Sequence, residues 1–356
     1  MVGYGSRRAY LMNAYSASEA IWPALERTYV YLFRPFKVER FLKLVAVATL
    51  SEGFLVSFRF AVSGAEPLAG TATGLRDFLL APKGLPVTAV AAVALLALGV
   101  YGFLLVTRLR FAFVHSLIHH TDAFRSAARL YADEADRFFS ASMLVWLSLL
   151  VAASLAFAAL AGLALALGVT PGSKFGPGAF VILYIPGALM GLVLLLAAGA
   201  AEVVLNDFIL PHMVVEGAAF RKAWADVRAL MAANRESFVR YFLLRMGLPL
   251  AAGLVLGLLA WVVESVVFGT LGISAAGFAA MLNGAPGWRL YVSAVVRAIF
   301  ALLGLGAGAA IAVSFAGPLG VFMRIYALAF YGSHYKALGN LLDPPTHAAE
   351  VHAQSD

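Results

Sequence analysis

From Phe138 to Ser173 the chain carries no charged residue, and Gly84 to Thr107 is uncharged as well. Runs of that length exceed the ~20 helical residues needed to cross a hydrocarbon core. Composition agrees: among 356 residues, 62% are hydrophobic and 13% charged, outside the range of water-soluble domains. The chain reads as a polytopic membrane protein.

The predicted fold is all-α, a transmembrane helical bundle of six spans arranged as three hairpins. The spans fall at about 41–63, 87–107, 141–168, 179–205, 246–263 and 291–315, within one integral membrane domain over 1–342. A tail over 343–356 opens with Pro344 and Pro345 and is expected to be disordered. An amphipathic interfacial segment precedes each hairpin: Ser16 to Arg40, Phe111 to Arg137 and Asn206 to Arg245. In the last of these, Phe220, Trp224, Val227 and Met231 share one helical face, while Arg221, Lys222, Asp226, Arg228 and Arg235 fill the other. That pattern predicts a helix lying flat on a membrane. The uncharged stretch Val266 to Gly287 is long enough to span. Its repeated glycines weaken a continuous helix, so it is read as an external re-entrant or interfacial loop.

Basic residues orient the bundle. Of the 26 Lys and Arg residues, all but Arg59, Arg76, Lys83, Lys174, Arg289 and Arg297 lie in or immediately beside the N-terminal segment, the two elbows or the C-terminal segment. This asymmetry places both termini in the cytoplasm of a multi-pass plasma (inner) membrane protein. The net charge of +7 therefore points to anionic lipid headgroups at the cytoplasmic face rather than nucleic acid, with Arg221, Lys222 and Arg228 as the surface contacts. The N-terminus lacks the apolar core of a signal peptide and is expected to be retained. The absence of cysteine removes thiol chemistry.

Ala123-Phe124-Arg125-Ser126-Ala127 and Ala219-Phe220-Arg221-Lys222-Ala223 each precede an odd-numbered span, which reads as an internal repeat. At the second elbow, Asp207, Pro211, Glu216-Gly217, Phe220, Ala223-Trp224 and Arg228, set between two spans, resemble a bacterial six-span family. It looks like the membrane domain attached to some glycerophosphodiester phosphodiesterases and its stand-alone relatives. The resemblance implies an integral membrane module without chemistry of its own, because the phosphodiesterase activity belongs to a separate soluble domain.

Ionisable groups within spans are costly and mark protein-facing or hydrated positions. The candidates are Glu52, near the middle of the first span, with Arg59, Glu202, Glu264 and Arg297. A helix-locking ion pair and a solute or proton path both account for them, and Arg297 is the interhelical partner expected for Glu52. His115 and His119 share a helical face and could grip one metal, but no second histidine cluster accompanies them. His212 and His334 each follow an even-numbered span and, with His115, could converge on the cytoplasmic face. The alternative is independent interfacial histidines. No residue pattern assigns a catalytic group, a metal or another cofactor.

The leading functional reading is a non-catalytic accessory or scaffolding module, with other membrane proteins as possible partners. The alternative is a transporter or channel for a small solute, ion or lipid, built around a polar site near Glu52. An enzyme acting on lipid lacks a nucleophile, base and orienting group at useful spacing.

Overall fold

The computed structural model describes residues 15–52, 85–121, 123–166, 168, 177–282 and 288–342. Among them there are helices and no strand. In order these are α1 (Ile21–Phe33), α2 (Val38–Glu52), α3 (Leu85–His119), α4 (Phe124–Leu130), α5 (Ala132–Ala166), α6 (Pro177–Val203), a π-helical turn (Val204–Ile209), α7 (Leu210–Glu216), α8 (Phe220–Ala233), α9 (Arg235–Leu282), α10 (Trp288–His334) and α11 (Lys336–Leu342).

Among the described residues, five helices are long and apolar enough to cross a membrane: Pro86–His119, Ala132–Ala166, Val181–Glu216, Arg235–Phe278 and Ala298–His334. They coincide with the expected second to sixth spans. Their apolar side chains point outward, with Leu250 75% and Leu254 77% exposed, as lipid contact requires. The chain is a multi-pass helical membrane protein. The first expected span begins within α2, and its continuation beyond Glu52 lies outside the described residues, as do Arg59 and the 343–356 tail.

The loop reading of Val266 to Gly287 is corrected up to Leu282, through which α9 continues unbroken; 283–287 lie outside the described residues. Each interior glycine costs ~1 kcal/mol relative to alanine. In an apolar surrounding, however, leaving the helix strands backbone N–H and C=O groups at several kcal/mol each, so the helix persists.

The chain forms two compact units. One comprises the described residues of Tyr131–Met246 and of 330–342, together with 15–17. Here α5 and α6 form a hairpin, and five aromatic side chains build the core. Phe208 lies 5.1 Å from Phe238, 5.3 Å from Tyr241 and 5.4 Å from Tyr331, measured between ring centroids. Phe330 stacks on Tyr241 at 4.3 Å. All five are buried, and offset or edge-on pairs of this kind add ~0.5–1.5 kcal/mol each beyond area burial.

The π-helical turn that carries Phe208 has a local cause. Pro211 has no N–H to give the residue four earlier, Asp207, and Leu210 bonds instead to Leu205, five residues back. An i→i+5 ladder of this kind widens the helix. Asp207 and Phe208 are both buried in this widened turn.

The other unit comprises the described residues of Ser18–Leu130 and Gly247–Ala329. Tyr31 on α1 donates to the carbonyl of Ser116 on α3 at 3.1 Å, and the Arg40 guanidinium lies over the Tyr31 ring at 5.0 Å. Helix α10 meets α2 at Gly317 and Gly320. A Cβ added at Gly317 would lie 2.7 Å from the Val45 carbonyl oxygen and 2.9 Å from the Thr49 hydroxyl. Only a residue without a side chain lets the two backbones approach this closely, the small-residue device of membrane helix pairs.

Candidate functional site

In the second unit, α2 delivers Glu52 to Arg324 of α10. Arg324 donates through Nε to Oε1 at 3.0 Å and through an Nη to the same oxygen. The Arg324 side chain is fully buried, and that of Glu52 nearly so. Arg110 of α3 donates through Nε to the carbonyl of Ser51 at 2.7 Å, tying a third helix to the end of α2. Among the described side chains the partner of Glu52 is Arg324, a residue the charge pattern assigned to the cytoplasmic C-terminal segment. The backbone of Arg297 belongs to α10, while its side chain lies outside those described. Glu264 sits half-buried on α9, and its Oε1 is buried without a hydrogen bond. The rings of His115 and His119 lie 4.4 Å apart on α3.

In the first unit, the π-helical turn aims Asp207 into the core, where it is fully buried. Tyr241 donates to its Oδ2 at 2.9 Å, and Arg245 donates to the same oxygen at 2.7 Å. All three groups were visible in the elbow sequence, yet none was read as an intramembrane ion pair. The available signal was an acid at the inner end of one apolar run and an arginine at the start of the next. Glu202, one of the predicted polar candidates, is exposed one turn before this centre.

One turn beyond Asp207, the chain brings together His212, Glu216 and Asp226. Helix α7 places His212 and Glu216 four residues apart on one face. It ends at Gly217, whose φ of 60° is left-handed and whose N–H returns to the Met213 carbonyl; glycine adopts that conformation without strain. The reversal lets α8 lay Asp226 beside His212. The His212 side chain is 3% exposed. Its Nδ1 is 3.0 Å from the Tyr331 hydroxyl, and its Nε2 faces Asp226 Oδ2 at 3.4 Å and Glu216 Oε2 at 3.6 Å. The Tyr335 ring stacks on the imidazole at 4.7 Å, and its hydroxyl donates to Glu216 Oε1. Lys222, largely exposed, lies 3.0 Å from Glu216 Oε2. That hydrogen bond holds the Lys222 ammonium above its ordinary range. Burial, and then the hydrogen bond to Glu216, push the Tyr335 phenol upward.

His334 belongs to the same unit as His212 but does not join this group: its Nδ1 lies 3.0 Å from the Phe330 carbonyl, and its ring packs on Phe238 and Phe330. Helix α8 has exposed Arg221, Lys222 and Arg228, as its polar face requires. Its apolar face is divided: Ala223 and Val227 are buried within the protein, while Trp224 is 43% exposed.

A family described as "Family of unknown function (DUF7544)" matches residues 15–341. No curated protein and no solved structure matches the chain.

Proposed function

The chain belongs to this family, DUF7544, and from that premise we propose that it is a non-catalytic accessory or scaffolding module of a plasma membrane, with both termini in the cytoplasm. The observation that carries the reading is the Glu52–Arg324 pair. The acidic group nearest the middle of a span is engaged by an arginine of another helix, an arrangement that fixes helix against helix. Asp207 with Arg245 and Tyr241 repeats it. Polar groups committed in this way serve architecture.

The likeness of the second elbow to the membrane domain of some glycerophosphodiester phosphodiesterases fits the same reading, since that domain accompanies an activity housed elsewhere. Anionic headgroups then meet Arg221, Lys222 and Arg228, and other membrane proteins meet the outward apolar faces. The test is reconstitution of wild type and Glu52→Gln in anionic liposomes, with proton and cation flux and thermal stability followed together. An accessory module gives no flux in either protein and a lower midpoint for the variant. A flux in wild type that Glu52→Gln abolishes at unchanged stability establishes a transporter instead.

A further inference from the structure

We propose that His212, Glu216 and Asp226 form a divalent metal site, with Zn²⁺ the ion that fits best. The three residues offer ligand atoms within 4.8 Å of one another. Bonds of ~2.0–2.2 Å in a tetrahedral arrangement set donor atoms ~3.3–3.6 Å apart. The His212 Nε2 separations of 3.4 Å to Asp226 and 3.6 Å to Glu216 lie at that spacing.

The second observation is the imidazole itself. His212 is 2% exposed, and its buried Nε2 makes no hydrogen bond although it points between two carboxylates. Its other nitrogen meets the Tyr331 hydroxyl. A ligating histidine typically gives its second N–H to an oxygen in this way, which fixes the tautomer and leaves the Nε2 lone pair for a metal. A lone pair facing two carboxylates is repulsive until a cation sits between them. Two oxygens and one imidazole nitrogen suit a borderline ion such as Zn²⁺ better than Mg²⁺ or Ca²⁺, which prefer oxygen alone. Lys222 holds its ammonium at Glu216 Oε2, and because it is largely exposed it can swing aside when an ion enters. The residues come from α7 and α8, and Tyr335, just beyond α10, stacks on the ligating ring. The ion therefore clamps α7 to α8 within the second elbow, against the ring that the C-terminal segment already stacks on His212.

The experiment uses the full chain, purified without a polyhistidine tag, titrated with Zn²⁺ and with Mg²⁺ as control, and followed by bound-metal analysis and thermal unfolding. Asp226→Ala removes one proposed ligand at an exposed helical position, and its metal-free melting midpoint serves as its own baseline for the effect of added ion. Wild type takes up one more equivalent of Zn²⁺ than Asp226→Ala, and its midpoint rises with Zn²⁺ but not with Mg²⁺. Tyr331→Phe weakens uptake about 10–100-fold, as loss of a ligand-orienting partner does. Absence of saturable Zn²⁺ binding, or uptake that Asp226→Ala leaves unchanged, overturns the proposal.

Discussion

Tyr241 and Arg245, one helical turn apart on α9, converge on a single oxygen of Asp207, at 2.9 Å and 2.7 Å. Asp207 is fully buried and the Arg245 side chain is 15% exposed. Removing one partner of such a pair leaves a desolvated charge, at a cost of ~3–5 kcal/mol. Asp207→Asn is therefore expected to lower stability by about that amount. Tyr241→Phe, which deletes one hydrogen bond to a charged group, should cost ~1.5–3 kcal/mol. Denaturant or thermal unfolding in detergent checks both, and equal small losses would show that Asp207 is solvated rather than locked.

Gly317 gives a steric test. Its missing Cβ would meet the Val45 carbonyl oxygen at 2.7 Å, and a backbone atom cannot move aside as a flexible side chain can. Gly317→Ala is expected to cost ~1–3 kcal/mol by overpacking. Gly306→Ala, with nothing within 4 Å of its added Cβ, serves as the control and should be neutral or slightly stabilising. A Gly317→Ala melting midpoint equal to that of the control would mean α2 and α10 do not approach at this point.

The Glu216, Tyr335 and Lys222 group sets an alkaline limit. Both the phenol and the ammonium are raised above their ordinary values of 10.0 and 10.5. A raised value means the protonated form is favoured in the fold, so its contribution is complete below the unfolded value and lost as pH rises through the folded one. Stability of the first unit is expected to hold at neutral pH and fall above pH ~10. Tyr335→Phe should flatten that alkaline limb in a series of thermal melts. An alkaline limb identical in variant and wild type would exclude Tyr335 as its source.

The charge asymmetry makes a topological prediction. Reporter fusions at Ser6 and after Leu342 are both expected to read as cytoplasmic. An external C-terminal reporter would add one crossing, and the continuous helix α9 through Leu282 is where it would be made.

Hydropathy made the architecture legible. The second to sixth spans follow from uncharged runs, because the ~30 Å apolar core sets a length that sequence records directly. The stretch after Val266 was misread because glycine propensities measured in water understate what an apolar surrounding adds to helix persistence. The sites were less legible. Glu52 stood out by its cost, but Arg324 looked like one more cytoplasmic cation, since nothing in a linear charge pattern tells that α10 carries it back against α2. The sequence groups His212 with His115 and His334, not with the carboxylates it meets. Its partnership with Asp226 depends on the left-handed turn at Gly217, and its partnership with Tyr331 on a residue 119 positions away. Helical spacing reveals only the His212–Glu216 pair. The π-helical turn had a readable cue in Pro211, four residues after Asp207.

Glu52 and Arg324 form a structural lock between α2 and α10, and a double-mutant cycle on unfolding tests it most directly. Glu52→Gln and Arg324→Gln alone are each expected to cost ~3–5 kcal/mol, because each strands a buried charge or its partner. The double variant should recover part of that loss, giving a coupling energy within the ~0.5–3 kcal/mol range seen for residues in contact. Additive losses with no coupling, or a Glu52→Gln protein as stable as wild type, would contradict the lock and the architectural role assigned to it.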